Sequence, residues 1–243
     1  QRLGILGDWK NPYTTMKYQA ESIIAEEMGK FLMRGTLYRG SKPVMWSPVE
    51  KTALAEAEVE YSDHKSVTIF ARFKVVSCPL SSLQGSSFVI WTTTPWTMPG
   101  NRAIACGANI AYSALKITDV AEGSLAEIGE VICLADELKD SVFAETGIVS
   151  ANVVDRFTGA DVVGSVVSHP LFAQGYDHDV PLFLADYVTT EQGTGFVHIA
   201  PGHGPEDYDL AHLQHGVEVP DTVGEDGVIS EHLPLFGGMH VLR

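Results

Sequence analysis

Apolar and polar residues follow two different periods along this chain of 243 residues, and the change falls near residue 44. Before that point, apolar residues recur at helical spacing from Thr14 or Thr15, either of which can cap a helix, to about Arg34. The apolar face comprises Met16, Ala20, Ile23, Ile24, Met28, Phe31 and Leu32. Gly35 supplies a stop signal. We therefore predict one amphipathic helix whose apolar face packs against another element.

From about Val44 onward, the sequence has the period of two that is typical of β-strands. In the clearest example, Val67, Ile69, Ala71, Phe73 and Val75 alternate with Thr68, Phe70, Arg72 and Lys74. We predict further strands at residues 87–91, 102–106, 112–117, 130–134, 149–154, 162–167, 182–187 and 195–199, and short helices at 136–145 and 205–216. Many short strands with few helices indicate an α+β fold with a β-barrel-like core.

The most unusual segment follows the predicted strand that ends at Trp91. Residues 91–101 read Trp-Thr-Thr-Thr-Pro-Trp-Thr-Met-Pro-Gly-Asn. The two prolines fix φ and favour extended conformations at Thr94 and Met98. Hydroxyls and indole rings on a stiff backbone suit a pocket that recognises a small polar ligand. The alternative is a proline-rich turn in which the threonines are ordinary strand formers.

A second segment, residues 193–208, joins a predicted strand to a predicted helix and places His198, His203 and Asp207 within ten residues. Its glycines permit positive φ or close approach of the backbone to a ligand. One proline and two acidic residues suit the first turn of a helix. The H-x4-H-x3-D arrangement contains possible zinc ligands, so a metal-dependent hydrolase is one alternative. The spacing matches no recognised metal signature, and we expect no metal.

Together, the two segments resemble the editing domain of isoleucyl-tRNA synthetase, the class I insertion often called connective peptide one. The pattern W-T-T-T-P-W-T-x-P-x-N is specific, since the valine and leucine enzymes carry a T-T-R-P type peptide with arginine at the position of Thr94. The run G-T-G-x-V-H-x-A-P-G-H-G-x-x-D-Y points to the same family, and the resemblance covers nearly the whole chain. It implies a helical and hairpin connection toward an absent catalytic core at residues 1–45. The editing domain would occupy 46–225, and a return strand or hairpin 226–243.

The resemblance implies a proofreading hydrolase that cleaves the ester of valine-charged isoleucine tRNA after transfer, in a pocket that admits valine and excludes isoleucine. A synthetic site that accepts isoleucine cannot strongly reject valine, because one methylene is worth only about 1–3 kcal/mol; the isoleucine enzymes are the standard example of that magnitude. Neither H-x-G-H nor K-M-S-K-S occurs in the sequence, so we expect no aminoacylation by this chain. A non-catalytic module that binds the end of tRNA is the second alternative.

The resemblance places the amino-group-binding aspartate at Asp207 and the size-excluding contacts at Thr94 and His198. Thr92 and Thr93 complete the catalytic candidates, because their hydroxyls can hold the carbonyl and the attacking water. The substrate-binding candidates are Trp91, Trp96, Asn101, Gly195 and His203.

Several of these candidates also have a purely structural interpretation. Asp207 can complement a helix N-terminus, His198 and Trp96 can be core residues, and Asn101 can be a turn residue. The group that accepts the proton from water stays open between His198, His203 and the vicinal ribose hydroxyl. We prefer a positioned water without a strong protein base.

The net charge of −15 argues against an independent nucleic-acid binder. We therefore expect contact only with the aminoacylated 3′ end of isoleucine tRNA, including its valine moiety, while the rest of the parent synthetase holds the tRNA body. Cys78, Cys106 and Cys133 match no metal or redox spacing and are expected to be free thiols. No apolar run reaches about 18 residues, no secretory signal is visible, and a starting Met is absent. We expect a cytoplasmic, monomeric fragment of a longer chain, with no membrane association and no cofactor.

Overall fold

The computed structural model describes residues 2–242 and divides into two compact units, Gln1–Ser41 and Lys42–Arg243. The first unit contains the predicted helix, α1 (Tyr18–Met33), which follows Lys17. The helix ends shortly before Gly35, whose φ of 72° is left-handed. The helix begins later than predicted because neither candidate threonine caps it. Of its predicted apolar face only Ala20 is buried. No helix among residues 2–242 has the length and apolar character needed to cross a membrane.

The second unit contains the strands. In chain order they are β1 (Trp46–Ser47), β2 (Thr52–Ala53), β3 (Ile69–Ser77), β4 (Ser87–Thr92), β5 (Ala103–Cys106), β6 (Ala111–Val120), β7 (Val131–Ala135), β8 (Ile148–Thr158), β9 (Val166–Ser168), β10 (Asp179–Leu184) and β11 (Phe196–Ile199). Its helices are α2 (Lys139–Thr146) and α3 (Pro205–Asp207), and α3 continues as a π-helical turn, Tyr208–Gln214. The strand predicted at 162–167 begins later, because Gly159–Val162 forms a 3₁₀ turn.

Apart from the β1–β2 ribbon, the strands form one mixed sheet in the order β11-β5-β10-β9-β3-β4-β7-β6-β8. The sheet curls so that edge strand β11 lies against its middle. Phe88 of β4 stacks on Phe196 of β11 at 4.7 Å, and the Tyr112 hydroxyl donates to the Gly195 carbonyl at 2.7 Å. The α+β class is confirmed. The barrel-like curvature is open, because among the described residues the edge strands β11 and β8 do not pair with each other.

The core lies inside this curl and extends beneath the helices that cover it. Its largest fully buried side chains include Phe73, Phe88, Tyr112 and Phe196. Burial of each such side chain stabilises the fold by about 1.5–3 kcal/mol. A separate cluster packs the π-helical turn onto β5 and β11; it comprises Ala103, Ala105, Ala185, Val188, Ile199, Leu210 and Ala211. This packing fixes the helix that follows β11 against the ends of both strands.

In the C-terminal segment, two isolated antiparallel bridges join Val223 to Ile229 and Val228 to His240. Gly227 at φ 74° turns the chain between them. The return strand or hairpin toward the core at 226–243 stays a prediction. The limits of the editing domain stay a prediction.

Candidate active site

The threonine peptide forms a hydrogen-bonded turn where β4 ends. The buried Thr92 hydroxyl accepts from the Thr94 amide at 3.1 Å. The next residues, Pro95–Gly100, form a 3₁₀ helix. The expectation of an extended Met98 was therefore wrong, because its carbonyl accepts from the Asn101 amide at 3.0 Å within that helix. Local hydrogen bonding and burial outweigh the bias that a following proline imposes.

The second segment carries its polar residues from β11 into α3. Strand β11 pairs antiparallel with β5, with His198 opposite Ile104. Beyond the strand, the His203 amide donates to the Ala200 carbonyl at 2.9 Å and closes a turn. The Asp207 carboxylate accepts from the Ala200 amide at 2.7 Å. The first turn of α3 is thereby tied to the end of β11.

These two segments and the loop after β10 enclose a cavity of about 320 Å³. Eight of the predicted site residues line it: Trp91, Thr92, Thr93, Thr94, Gly195, His198, His203 and Asp207. Sequence reasoning missed further lining residues, namely Thr97, Tyr187, Val188, Thr189 and Gln192. The residues after β10 could have been found from one signal in the sequence. They form a second polar, hydroxyl-containing run directly after a strand.

Two other cavities, of about 340 and 420 Å³, lie elsewhere on the second unit. The first is lined mainly by polar and charged residues around the Arg72–Glu130 ion pair, and the second mainly by apolar residues beneath α2. The cavity at the threonine peptide is set apart by its convergent hydroxyls, imidazoles and carboxylate, which is the combination expected of a reactive site.

His198 is buried and uses both ring nitrogens inside the protein. Its Nδ1 lies 2.7 Å from the Asn101 side-chain nitrogen, and its Nε2 lies 2.9 Å from the Thr97 hydroxyl. The Asn101 nitrogen also donates to the Ala103 carbonyl at 2.8 Å, which fixes the orientation of the amide. Nδ1 is therefore the acceptor, and Nε2 carries the proton. Burial, with smaller effects from His169 and His203, lowers the pKa of His198 to about 3. The ring is neutral near pH 7 and has no free nitrogen to accept a proton from water.

Asp207 is a half-buried carboxylate without a partner cation. One oxygen accepts from the Ala200 amide, and no ion pair joins the other to a cation among residues 2–242. Burial raises the pKa of Asp207 to about 6 and outweighs the opposing effect of the Ala200 amide; Glu206 adds to the rise. A carboxylate in this setting is well suited to bind a cation that enters the cavity.

Trp96 and Asn101 support the cavity without lining it. The Trp96 ring meets His203 edge-on, with centroids 5.1 Å apart. The Nε2 atom of His203 lies 2.7 Å from the Thr222 hydroxyl, and burial lowers the His203 pKa. Asn101 is completely buried and contacts His198 from behind.

Gly195 meets a packing requirement as well as lining the cavity. It lies at φ 84°, and an added Cβ would come within 2.5 Å of the Ala135 Cβ and 2.9 Å of the Tyr112 ring. The glycine therefore allows β11 to approach β6 and β7. Within residues 2–242, no three His, Cys, Asp or Glu side chains are grouped so as to hold a metal ion.

The family model for class I tRNA synthetases (I, L, M and V) matches residues 1–214, so the chain belongs to that family. The isoleucine–tRNA ligase of Gluconobacter oxydans is 46% identical over 245 residues and that of Rhodopseudomonas palustris 50% identical over 254; each match covers the whole chain. The resemblance to the isoleucine enzymes is thus confirmed.

The chain spans about a quarter of the length of these curated relatives. Among solved structures, the P. knowlesi cytosolic leucyl-tRNA synthetase editing domain is similar at a TM-score of 0.45 and 12% identity. That similarity covers 59% of this chain and 62% of the other.

Proposed function

We propose that this chain is a proofreading domain that hydrolyses the ester bond of valine-charged isoleucine tRNA. The observation that supports it is one cavity in which the threonine peptide, a neutral buried histidine and an uncompensated carboxylate meet. The tRNA and the remaining three quarters of a parent synthetase are its proposed partners, and the cytoplasm its proposed location.

Asp207 is the proposed anchor for the α-ammonium group of the amino acid. One of its oxygens is held by the Ala200 amide, so the carboxylate is already oriented when the substrate arrives. An ammonium group would supply the missing positive charge in a charge-assisted hydrogen bond. This contact places the ester carbonyl at a fixed distance from α3 and directs the side chain toward Thr94 and His198.

Thr94 and His198 are the proposed limits on side-chain size. Both line the cavity, and His198 is held rigidly by its two hydrogen bonds. Isoleucine is one methylene larger than valine. Insertion of that methylene against a rigid wall costs about 1–3 kcal/mol, which is enough to favour hydrolysis of the valine ester.

Thr93 is the threonine best placed to contact the reacting groups. The Thr92 hydroxyl already accepts from Thr94, whereas the exposed Thr93 hydroxyl makes no hydrogen bond to residues 2–242. In the proposed step, water attacks the ester carbonyl carbon, and nearby donors stabilise the oxyanion. The ester bond then breaks, the ribose oxygen takes a proton, and valine leaves as the free acid. His198 has no free nitrogen and cannot take the proton from water. In this proposal hydroxyls and the neighbouring ribose hydroxyl orient the water.

The test is deacylation of valine-charged and isoleucine-charged isoleucine tRNA by the 243-residue chain in excess over tRNA. Selective release of valine is the expected result. Equal release of both amino acids would contradict the size limit. Binding of the charged end without release would instead support a non-catalytic module.

Thr94→Ala should enlarge the cavity and allow isoleucine to be hydrolysed. We expect the preference for valine over isoleucine to fall about tenfold or more, since removal of the wall lowers the cost of one methylene. Single-turnover deacylation of both charged tRNAs measures the ratio. Thr118→Ala, at an exposed position on β6 paired with Ser150, is the matched control and should leave the ratio unchanged. An unchanged ratio in Thr94→Ala would remove Thr94 from the size limit.

The pH dependence of hydrolysis should follow the titration of Asp207. The carboxylate is the form that binds an ammonium group, and its pKa is raised to about 6, so kcat/KM should fall as the pH drops through that value. Once the ammonium is bound, it favours the carboxylate, so the fall in kcat should come at lower pH. Rates are measured from pH 5 to 8 and corrected for uncatalysed hydrolysis. The same inflection in Asp207→Asn would assign the titration to another group.

A further inference from the structure

We propose that Thr97 is a specificity-determining positioning residue, whose hydroxyl links the two opposing walls of the cavity. Its side chain is buried and lies between the Thr94 carbonyl and the His198 ring, at 2.9 Å from each. This role rests on the proposed function, because Thr94 and His198 are the residues proposed to limit side-chain size.

The direction of each hydrogen bond is fixed by the chemistry of its partners. The Thr94 carbonyl can only accept, so the single Thr97 hydroxyl proton points toward it. The hydroxyl oxygen is then the acceptor for the proton on His198 Nε2. The Thr97 amide also donates to the Thr94 carbonyl at 3.0 Å, so main chain and side chain of one residue hold the same oxygen.

The far side of the imidazole is also hydrogen-bonded. Asn101 donates to His198 Nδ1 and to the Ala103 carbonyl. The main-chain carbonyl of Asn101 accepts from the Arg102 guanidinium at 2.7 Å and lies 3.1 Å from His178 Nε2. With the Asn101 side-chain nitrogen bonded on one side of the ring, the Thr97 hydroxyl is the contact on the side that faces Thr94.

The importance of this link comes from the small difference to be detected. Valine is smaller than isoleucine by one methylene and already fits between the walls. A slight increase in the distance between the walls therefore changes valine binding little. The same increase gives room for one more methylene. Loss of the link should therefore act on isoleucine much more than on valine.

The test compares Thr97→Val with Thr97→Ser in the 243-residue chain. Valine keeps the shape of threonine without the hydroxyl, and serine keeps the hydroxyl without the methyl. Each variant is titrated with adenosine analogues that carry valine or isoleucine through a non-hydrolysable amide, and the ratio of the two Kd values is the readout. In Thr97→Val, we expect the preference for valine to fall about tenfold or more, mainly through tighter isoleucine binding. Thr97→Ser should keep it.

A second measurement reports the link directly and requires no turnover. In chain labelled with ¹⁵N-histidine, His198 should be the neutral Nε2–H tautomer, with a ring proton that exchanges slowly. That signal should persist in Thr97→Ser and be lost or strongly shifted in Thr97→Val.

The outcomes separate this inference from the proposed function. Normal valine binding with an unchanged preference in Thr97→Val, or an unchanged Nε2–H signal, would overturn the role of Thr97 alone. Failure of the unaltered chain to bind either analogue would overturn the proposed function and this inference with it.

Discussion

Asp207→Ala will nearly abolish the release of valine from charged isoleucine tRNA. Removal of one partner from a charge pair of low solvent exposure typically costs about 2–5 kcal/mol, which corresponds to about 30- to 4000-fold in kcat/KM. The effect should be this large because among residues 2–242 no second acidic side chain lines the cavity and could take over. Single-turnover deacylation at pH 7.5 measures the loss.

The fold should survive this substitution. The alanine variant loses the acceptor for the Ala200 amide, which costs about 1 kcal/mol. It also loses a carboxylate whose pKa is raised to about 6 in the folded chain. Above that pH the ionised carboxylate is less stable in the folded chain than in the unfolded chain, so its removal favours the fold. At neutral pH the two effects oppose each other, so thermal unfolding should change little.

Two further variants separate charge from hydrogen bonding. Asp207→Asn keeps an oxygen that can accept from the Ala200 amide but cannot neutralise an ammonium group, so it should be nearly as inactive as the alanine variant. Asp209→Asn changes an exposed acid in the same helical segment and should retain full activity. Valine release by Asp207→Asn at more than a tenth of the original rate would show that charge is not the basis of the contact.

Gly195→Ala will be one of the most destabilising single changes in this chain. An alanine at φ 84° is strained by about 1–2 kcal/mol. The new methyl group would also overlap Ala135 and Tyr112, which adds about 1–3 kcal/mol. The sum of about 2–5 kcal/mol should lower the Tm by about 4–20 °C, as measured by circular dichroism or calorimetry.

Gly193→Ala is the matched control for this experiment. Gly193 has the same φ of 84° in the same loop, but an added Cβ would lie 3.6 Å from the Trp91 ring, an ordinary contact distance. It should therefore show only the strain of about 1–2 kcal/mol. Equal losses in the two variants would mean that β11 can move away from β6 and β7, and that the close approach at Gly195 is not required.

The sequence pattern predicted the local parts of this structure well. Period-two alternation identified β3, and the two unusual segments around the end of β4 and around β11 identified eight residues that line one cavity. These signals are readable because each depends on neighbours within a few residues. The helix stop at Gly35 is of the same kind.

Relationships over long sequence distances could not be predicted in this way. Thr97 and Asn101 reach His198 across 101 and 97 residues, so nothing local showed that the asparagine supports the ring or that Thr97 links two walls. The sequence predicted an extended Met98, whereas Met98 lies in a 3₁₀ helix. The burial that favours this helix comes from the tertiary fold, so local sequence could not reveal it. The open edge of the sheet likewise depends on the final strand order.

The same long separations determine when the cavity can exist during folding. Strands β5 and β11 pair with nearly a hundred residues between them, and such contacts form late because closure of a long loop is entropically costly. During synthesis, the threonine peptide emerges long before its histidine partner. A partly made or partly folded chain therefore has no complete cavity, and the proposed hydrolysis would require β5 and β11 to be paired first.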